Sequence, residues 1–323
     1  MSPTLLTQIS ELVTVDIDCM DPEVAQRHTL SSSAPFFCDM TSNQAIVSGQ
    51  ATLPDRAVLL HSAIDEVKGK QSVGSDTFAQ DVLDVFTVLL AKQVYPYLTG
   101  NVHAQTSPPA AFDTQRTIVH ARKLVALFEQ NGIPKSRVCI KIPTTAEGMV
   151  ACAQLQTEGI QTLATCLFNV PQALAAHQAK CIYVAPYFNE LQHPMSQVIF
   201  DVKAVYGQIG SKTKVMPASI VTPREIIGLV SLKPNHITIS GGILDKLAAL
   251  PAVAPEEFKS PLKATELAKE VLFADYLASD GALLKDALLK DVESTRKLND
   301  ALKLFDDFEK QTKEYINELS GKA

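Results

Sequence analysis

The chain has 323 residues, 46% of them apolar and 20% charged, which suits a globular protein with a sizeable core and one large α/β domain or two ordinary ones. A net charge of −6 argues against nucleic acid or an anionic membrane as the main partner, and no run approaches the ~18 apolar residues of a membrane span. Six cysteines without a CxxC or a paired Cys/His spacing argue against a structural metal and fit a reduced, cytoplasmic setting, as does an N-terminus lacking a basic region followed by an apolar core.

In chain order, residues 4–12 read as a short helix leading into a strand over 13–18, whose mouth carries Asp16 and Asp18 on one face. A helix follows Pro22, and a second strand runs over 35–43 into the polar cluster Thr41-Ser42-Asn43. Apolar positions at helical spacing mark 54–70 and 75–94, and a third strand spans 97–105 before a Ser-Pro-Pro loop. The alternation then becomes regular: helix 113–131, strand 138–142, helix 146–157, strand 160–168, helix 171–178, strand 181–186, helix 193–207, strand 214–221, helix 223–230 and strand 236–240. From Pro261 onward the pattern is helical and charge-rich, with no strand signal. Eight βα units in ~250 residues are the arithmetic of a (β/α)8 TIM barrel, here one domain over 1–323 with a helical C-terminal extension at about 262–318. No GxGxxG follows the first strand, which speaks against a dinucleotide-binding sheet. The extension reads as a cap on the barrel, with a homodimer contact left open, and Glu309 to Lys313 read as a solvated helix face.

The stretch Arg137-Val-Cys-Ile-Lys-Ile-Pro-Thr-Thr-Ala-Glu-Gly148 is an apolar strand interrupted by Lys141, stopped by Pro143 and followed by a threonine able to cap a helix. Burying the ammonium form of a lysine is costly, and the same desolvation lowers the amine pKa and makes it a nucleophile toward carbonyls. The competing reading is a lysine at a strand end that extends its ammonium into water. Barrel active sites sit at the C-terminal ends of the strands. Those ends carry Asp18, Thr41-Ser42-Asn43, His103 and Gln105, Lys141, Thr165, Ala185-Pro186-Tyr187, Ser219 and Ser240-Gly241. One amine, one acid and several hydroxyl and amide groups suit Schiff-base chemistry on a small carbonyl substrate, with no cofactor.

At these residues the sequence resembles the transaldolase family. The segments around Asp18, Met40-Thr-Ser-Asn43, Cys139-Ile-Lys141-Ile-Pro-Thr-Thr-Ala-Glu-Gly148, Glu158-Gly-Ile160 to Phe168, and Met216-Pro-Ala-Ser219 are each similar to a family motif, in the family's order. The resemblance implies a carbinolamine on Lys141, retro-aldol cleavage with Asp18 as acid/base, and transfer of a dihydroxyacetone unit to an aldehyde. It further implies that Asn43 holds substrate hydroxyls, that Thr165 positions the catalytic water, and that Ser219 belongs to the substrate site.

The departures are as informative. Gln105 stands where the family has a glutamate, and it can orient a water without taking its proton. His103, on the same face, either supplies that function or is a satisfied strand histidine. Leu163 and Ala185 replace an asparagine and a serine. Val221 replaces the phosphate-binding arginine, with Arg224 either a partial substitute or a solvated surface residue. Three readings stay open: a diverged lysine aldolase or transferase acting on a non-phosphorylated carbonyl in specialised metabolism, an ordinary transaldolase of the pentose phosphate pathway, and a catalytically silent paralogue that binds metabolites or a partner protein.

Overall fold

The structure, a computed structural model, describes residues 3–29, 36–188 and 195–321. Pro35, expected to open the second strand, and His193 and Pro194, expected to open a helix, lie outside the described residues. Seven parallel strands are described: β1 (Thr14–Ile17), β2 (Val102–Gln105), β3 (Val138–Pro143), β4 (Gln161–Leu167), β5 (Tyr183–Pro186), β6 (Lys214–Val215) and β7 (His236–Ile239). β2 to β6 form one sheet in chain order, and β1 pairs with β7.

Short links close these sheets into a barrel. The segment 37–40 stands between β1 and β2, bridging Ile17 to Met40 and Met40 to Val102. There the Ile17 N–H donates to the Asp39 carbonyl at 2.9 Å, and the His103 N–H to the Met40 carbonyl at 2.9 Å. On the far side the Asn235 N–H donates to the Val215 carbonyl at 3.0 Å, joining the β6 edge to β7. Segment 37–40 thus takes the place of the expected second strand, held by bridges rather than by a continuous ladder.

Three expected elements are shorter than the apolar pattern suggested. Residues 95–97 form a 3-10 turn, and the third strand begins only at Val102. Between them Gly100 passes so close to Asp39 that a Cβ there would lie 1.9 Å from the carboxylate. β6 stops at Val215, because Pro217 has no N–H to offer the ladder and Ser219 turns into positive φ (60°). The helical tail begins at Lys269 rather than at Pro261. Two helices had not been expected: Gln44–Ala51, and Gly241–Ala249, where the glycine pair reads as a turn in sequence.

The long C-terminal helix Val292–Gly321 packs on helices Gln44–Ala51 and Phe78–Val94 and reaches segments that leave the C-terminal ends of the strands. Asn169, just beyond β4, donates to Asp291 at 3.0 Å, and the Lys297 ammonium lies 5.9 Å from the Phe168 ring centroid. Ser107, just beyond β2, donates to Glu309 at 2.6 Å. Glu309 was expected on a solvated face and is instead 1% exposed, because this helix lays that face on the barrel mouth. No described helix is long and apolar enough to cross a membrane.

Candidate active site

Residues paired across parallel strands share a face, so the ladder register sorts the barrel into rungs. One rung holds Gln105, Lys141 and Leu163; the next toward the C-terminal mouth holds Pro143, Thr165 and Ala185. All six residues of β3 are buried, and Lys141 is 2% exposed. Burial pushes its amine below the ordinary lysine value, while the charge of Asp18 acts in the opposite sense. The strand end is held firmly. Thr144 Oγ1 donates to the Thr165 carbonyl at 2.5 Å, and Thr145 caps helix Ala146–Thr157 by accepting the Gly148 N–H at 2.8 Å. Gly148 is demanded by this close approach, since a Cβ there would lie 2.3 Å from the Pro143 carbonyl oxygen. The lysine motif is therefore a strand and a helix start locked around one amine.

Asp18 follows β1, its N–H donating to the Ile239 carbonyl at 2.9 Å. Its Oδ1 accepts from Thr41 Oγ1 at 2.5 Å, and Thr41 Oγ1 lies 2.7 Å from Thr238 Oγ1. Three strand ends thus hold the carboxylate, which is half-buried and acts electrostatically on both Lys141 and Tyr187. Thr165 Oγ1 is 3.0 Å from the Tyr187 hydroxyl, whose ring packs edge-on against Phe168. Burial pushes the Tyr187 phenol well above its usual range, so it stays a neutral hydrogen-bonding group. Tyr187 is the site residue that sequence reasoning left without a role. Its position at the end of β5 was visible, but its contact with Thr165 on the neighbouring strand is a tertiary one.

The structure places the remaining expected residues in different settings. Asn43 caps helix Gln44–Ala51, its Oδ1 accepting the Ile46 N–H at 3.0 Å. Gln105 lies on the Lys141 rung and donates from Nε2 to Gln44 Oε1 at 2.7 Å. Ser219 follows β6 in its positive-φ turn. Arg224 is exposed on helix Pro223–Ser231, at the outer rim. No hydrogen bond or ion pair to another described residue holds its guanidinium. His103 pairs with Cys139, one rung below Lys141, is fully buried, and its Nε2 is 2.9 Å from Asp39 Oδ2. The structure thus gives this strand histidine a buried carboxylate partner one rung beneath Lys141.

His103 belongs to a polar layer in the lower barrel. Burial pushes the Asp39 carboxyl up, but hydrogen bonds from His103 and the Asn101 N–H outweigh it and hold the group well below the usual range. His236 Nδ1 is 2.9 Å from Asp16 Oδ2, and its Nε2 is 3.2 Å from Lys214 Nζ. Ligand atoms of Asp16, Cys38 and His236 lie within 4.8 Å of one another, the one such group among the described residues. They are already bonded to each other or to neighbours, and the Cys38 thiol, pushed up to about 12 first by burial and then by Asp39, stays protonated.

The transaldolase/fructose-6-phosphate aldolase family matches residues 17–314. A transaldolase of Xanthomonas oryzae pv. oryzae is 32% identical over 322 residues, covering 94% of each chain. One from Xanthomonas campestris pv. campestris is 31% identical over 322 residues, covering 92% of this chain and 97% of the relative. A Saccharomyces cerevisiae transaldolase is 29% identical over 283 residues, covering 83% of this chain and 82% of the relative. A buried strand lysine, an aspartate held at the neighbouring strand ends and these matches lead to one conclusion: the chain belongs to the transaldolase/fructose-6-phosphate aldolase family and is an enzyme of the class I aldolase type.

Proposed function

We propose that the chain makes or cleaves an aldol-type carbon–carbon bond through an imine on Lys141, with Asp18 moving the proton, on a carbonyl substrate that carries no phosphate. The observation that supports the chemistry is a buried amine of lowered pKa within the field of a half-buried carboxylate. The neutral amine adds to the substrate carbonyl, and loss of water from the carbinolamine leaves an iminium. Asp18 takes the proton of the hydroxyl on the carbon that departs, the carbon–carbon bond breaks, and its electron pair moves into the iminium to give an enamine. The enamine then adds to an aldehyde or is protonated, and hydrolysis frees Lys141. Asn43 holds donor hydroxyls, and Thr165 with Tyr187 orients the water; Gln105 directs it without accepting its proton.

The substrate class rests on the walls. Leu163 occupies the Lys141 rung and Ala185 the next, both buried and without a side-chain hydrogen-bonding group. Val221 at the rim is 56% exposed where a guanidinium would grip a phosphate. The adjacent helix start is already occupied by an anion, since the N–H groups of Val221 and Thr222 donate to Glu225 Oε2 at 2.9 and 3.0 Å. The names of the relatives favour a second reading, transfer of dihydroxyacetone from a ketose phosphate. A silent paralogue would have no use for the burial cost of Lys141. Comparing kcat/KM for fructose and dihydroxyacetone with that for fructose 6-phosphate separates the first two: preference for the unphosphorylated donors is expected, and preference for the phosphate ester restores the ordinary transaldolase.

A further inference from the structure

Two buried side-chain acceptor oxygens, one on Glu309 and one on Gln105 of the Lys141 rung, stand out among the described residues. Glu309 uses Oε1 to accept from Ser107 Oγ and from Lys313 Nζ, both at 2.6 Å, and its Oε2 has no hydrogen-bond partner among the described residues. Gln105 is in the same condition. Its Nε2 donates to Gln44 Oε1, while the Gln44 amide donates to the Thr106 carbonyl at 3.1 Å. The Gln105 carboxamide cannot be reversed without setting two acceptors face to face, so its Oε1 is left unpartnered among the described residues.

Both residues line one cavity of about 20 Å³, together with Asn43, Gln44, His120 and Asp84. That is room for a single water, which needs about 10–15 Å³ and two to four polar partners. His120 does not compete for it, because Nδ1 accepts the Ser107 N–H at 2.9 Å and Nε2 lies 3.1 Å from Asp84 Oδ1. Unpaired buried acceptors are costly, and one water has the two O–H groups that satisfy them.

We propose that Glu309 is a positioning residue of the active site, acting through one water that donates to its Oε2 and to Gln105 Oε1. Residue 105 carries an amide in place of an acid, and the acid stands one water behind it, delivered by the C-terminal helix. This fixes the carboxamide beside Lys141 and makes that helix part of the catalytic assembly. The inference rests on the reading of Gln105 as a member of the Lys141 site.

The test is a double-substitution cycle on the full chain, read by unfolding midpoint and by turnover. Gln105→Glu sets two carboxylates across one water, and Glu309→Gln leaves two amides across it; each is expected to lower the midpoint and to slow kcat about tenfold. The pair Gln105→Glu/Glu309→Gln restores one acid and one amide across the same space and is expected to recover both to near wild type. Glu309→Gln alone is expected to lower kcat with KM and the borohydride-trapped imine on Lys141 unchanged, a split that mere structural damage would not give. Additive midpoints overturn the contact. Coupled midpoints with unchanged turnover in both single variants overturn the positioning role. Absence of any trapped imine in the wild type defeats the proposed function instead, and leaves the midpoint cycle to decide the contact. A crystal structure of the wild-type chain tests the same point without substitution: a water bonded to both oxygens is expected, and a dry cavity overturns the inference.

Discussion

Replacing Lys141 by methionine should abolish turnover and leave the fold more stable. The amine is 2% exposed and has no hydrogen bond to another described side chain, so the folded state bears the cost of its desolvation. Methionine keeps the length of the side chain without the charge, and exchanging a buried charge for an apolar group of similar volume is often worth about 1–3 kcal/mol. For 323 residues the unfolding entropy is of order 0.7 kcal/mol per kelvin, so the midpoint should rise by about 1.5–4 °C. The pH dependence has a definite sign. Because the folded pKa lies below the ordinary lysine value of 10.5, the unfolded chain binds the extra proton between the two values, and wild-type stability rises with pH through that window. The advantage of the methionine variant should therefore be full below the folded pKa and shrink as the pH rises from there toward 10.5. Calorimetry at a series of pH values measures it. A variant less stable than wild type at neutral pH, or an advantage indifferent to pH, would refute the picture of a desolvated amine.

Asp84 provides a separate test of the outer shell: burial raises its carboxyl, but His120 and Lys123 outweigh it and hold the pKa at about 2. Its contribution, about 2 kcal/mol, is present above pH 3.8 and lost as the pH falls toward 2, so Asp84→Asn should flatten that part of the acid-unfolding curve. An unaltered slope would count against the pairing. Tyr187→Phe removes the partner of Thr165 and should cost about 1 kcal/mol of stability and about tenfold in turnover, with imine trapping retained. Wild-type turnover would show that the phenol plays no part. Val221→Arg should improve kcat/KM for fructose 6-phosphate about tenfold or more, as a charge-assisted bond to phosphate warrants, and leave the unphosphorylated donors unchanged. No gain would mean that Val221 does not face the substrate's distal end.

The barrel was legible because its strands read as short apolar runs punctuated by Pro and Gly, and helix Ala146–Thr157 matches its pattern to the residue. Less legible was where ladders stop. The 37–40 segment, the turn at Gly100 and the short β6 are set by contacts with Asp39 and by the backbone of Pro217 and Ser219, which an apolar pattern does not report. In the site, Lys141, Gln105 and Thr165 could be placed because strand ends converge in this architecture. His103 could not be assigned from sequence, since its partner Asp39 lies 64 positions away on the irregular segment. Glu309 was misread for a similar reason: its helix is charge-rich, and only the tertiary packing turns one acid of that face inward.

The most direct measurement is borohydride reduction in the presence of a panel of carbonyl donors, followed by peptide mass mapping. A reduced adduct on Lys141, formed from dihydroxyacetone or fructose and absent in Lys141→Met, is the expected result. An adduct on another lysine, or none from any donor including fructose 6-phosphate, would contradict an imine mechanism at Lys141.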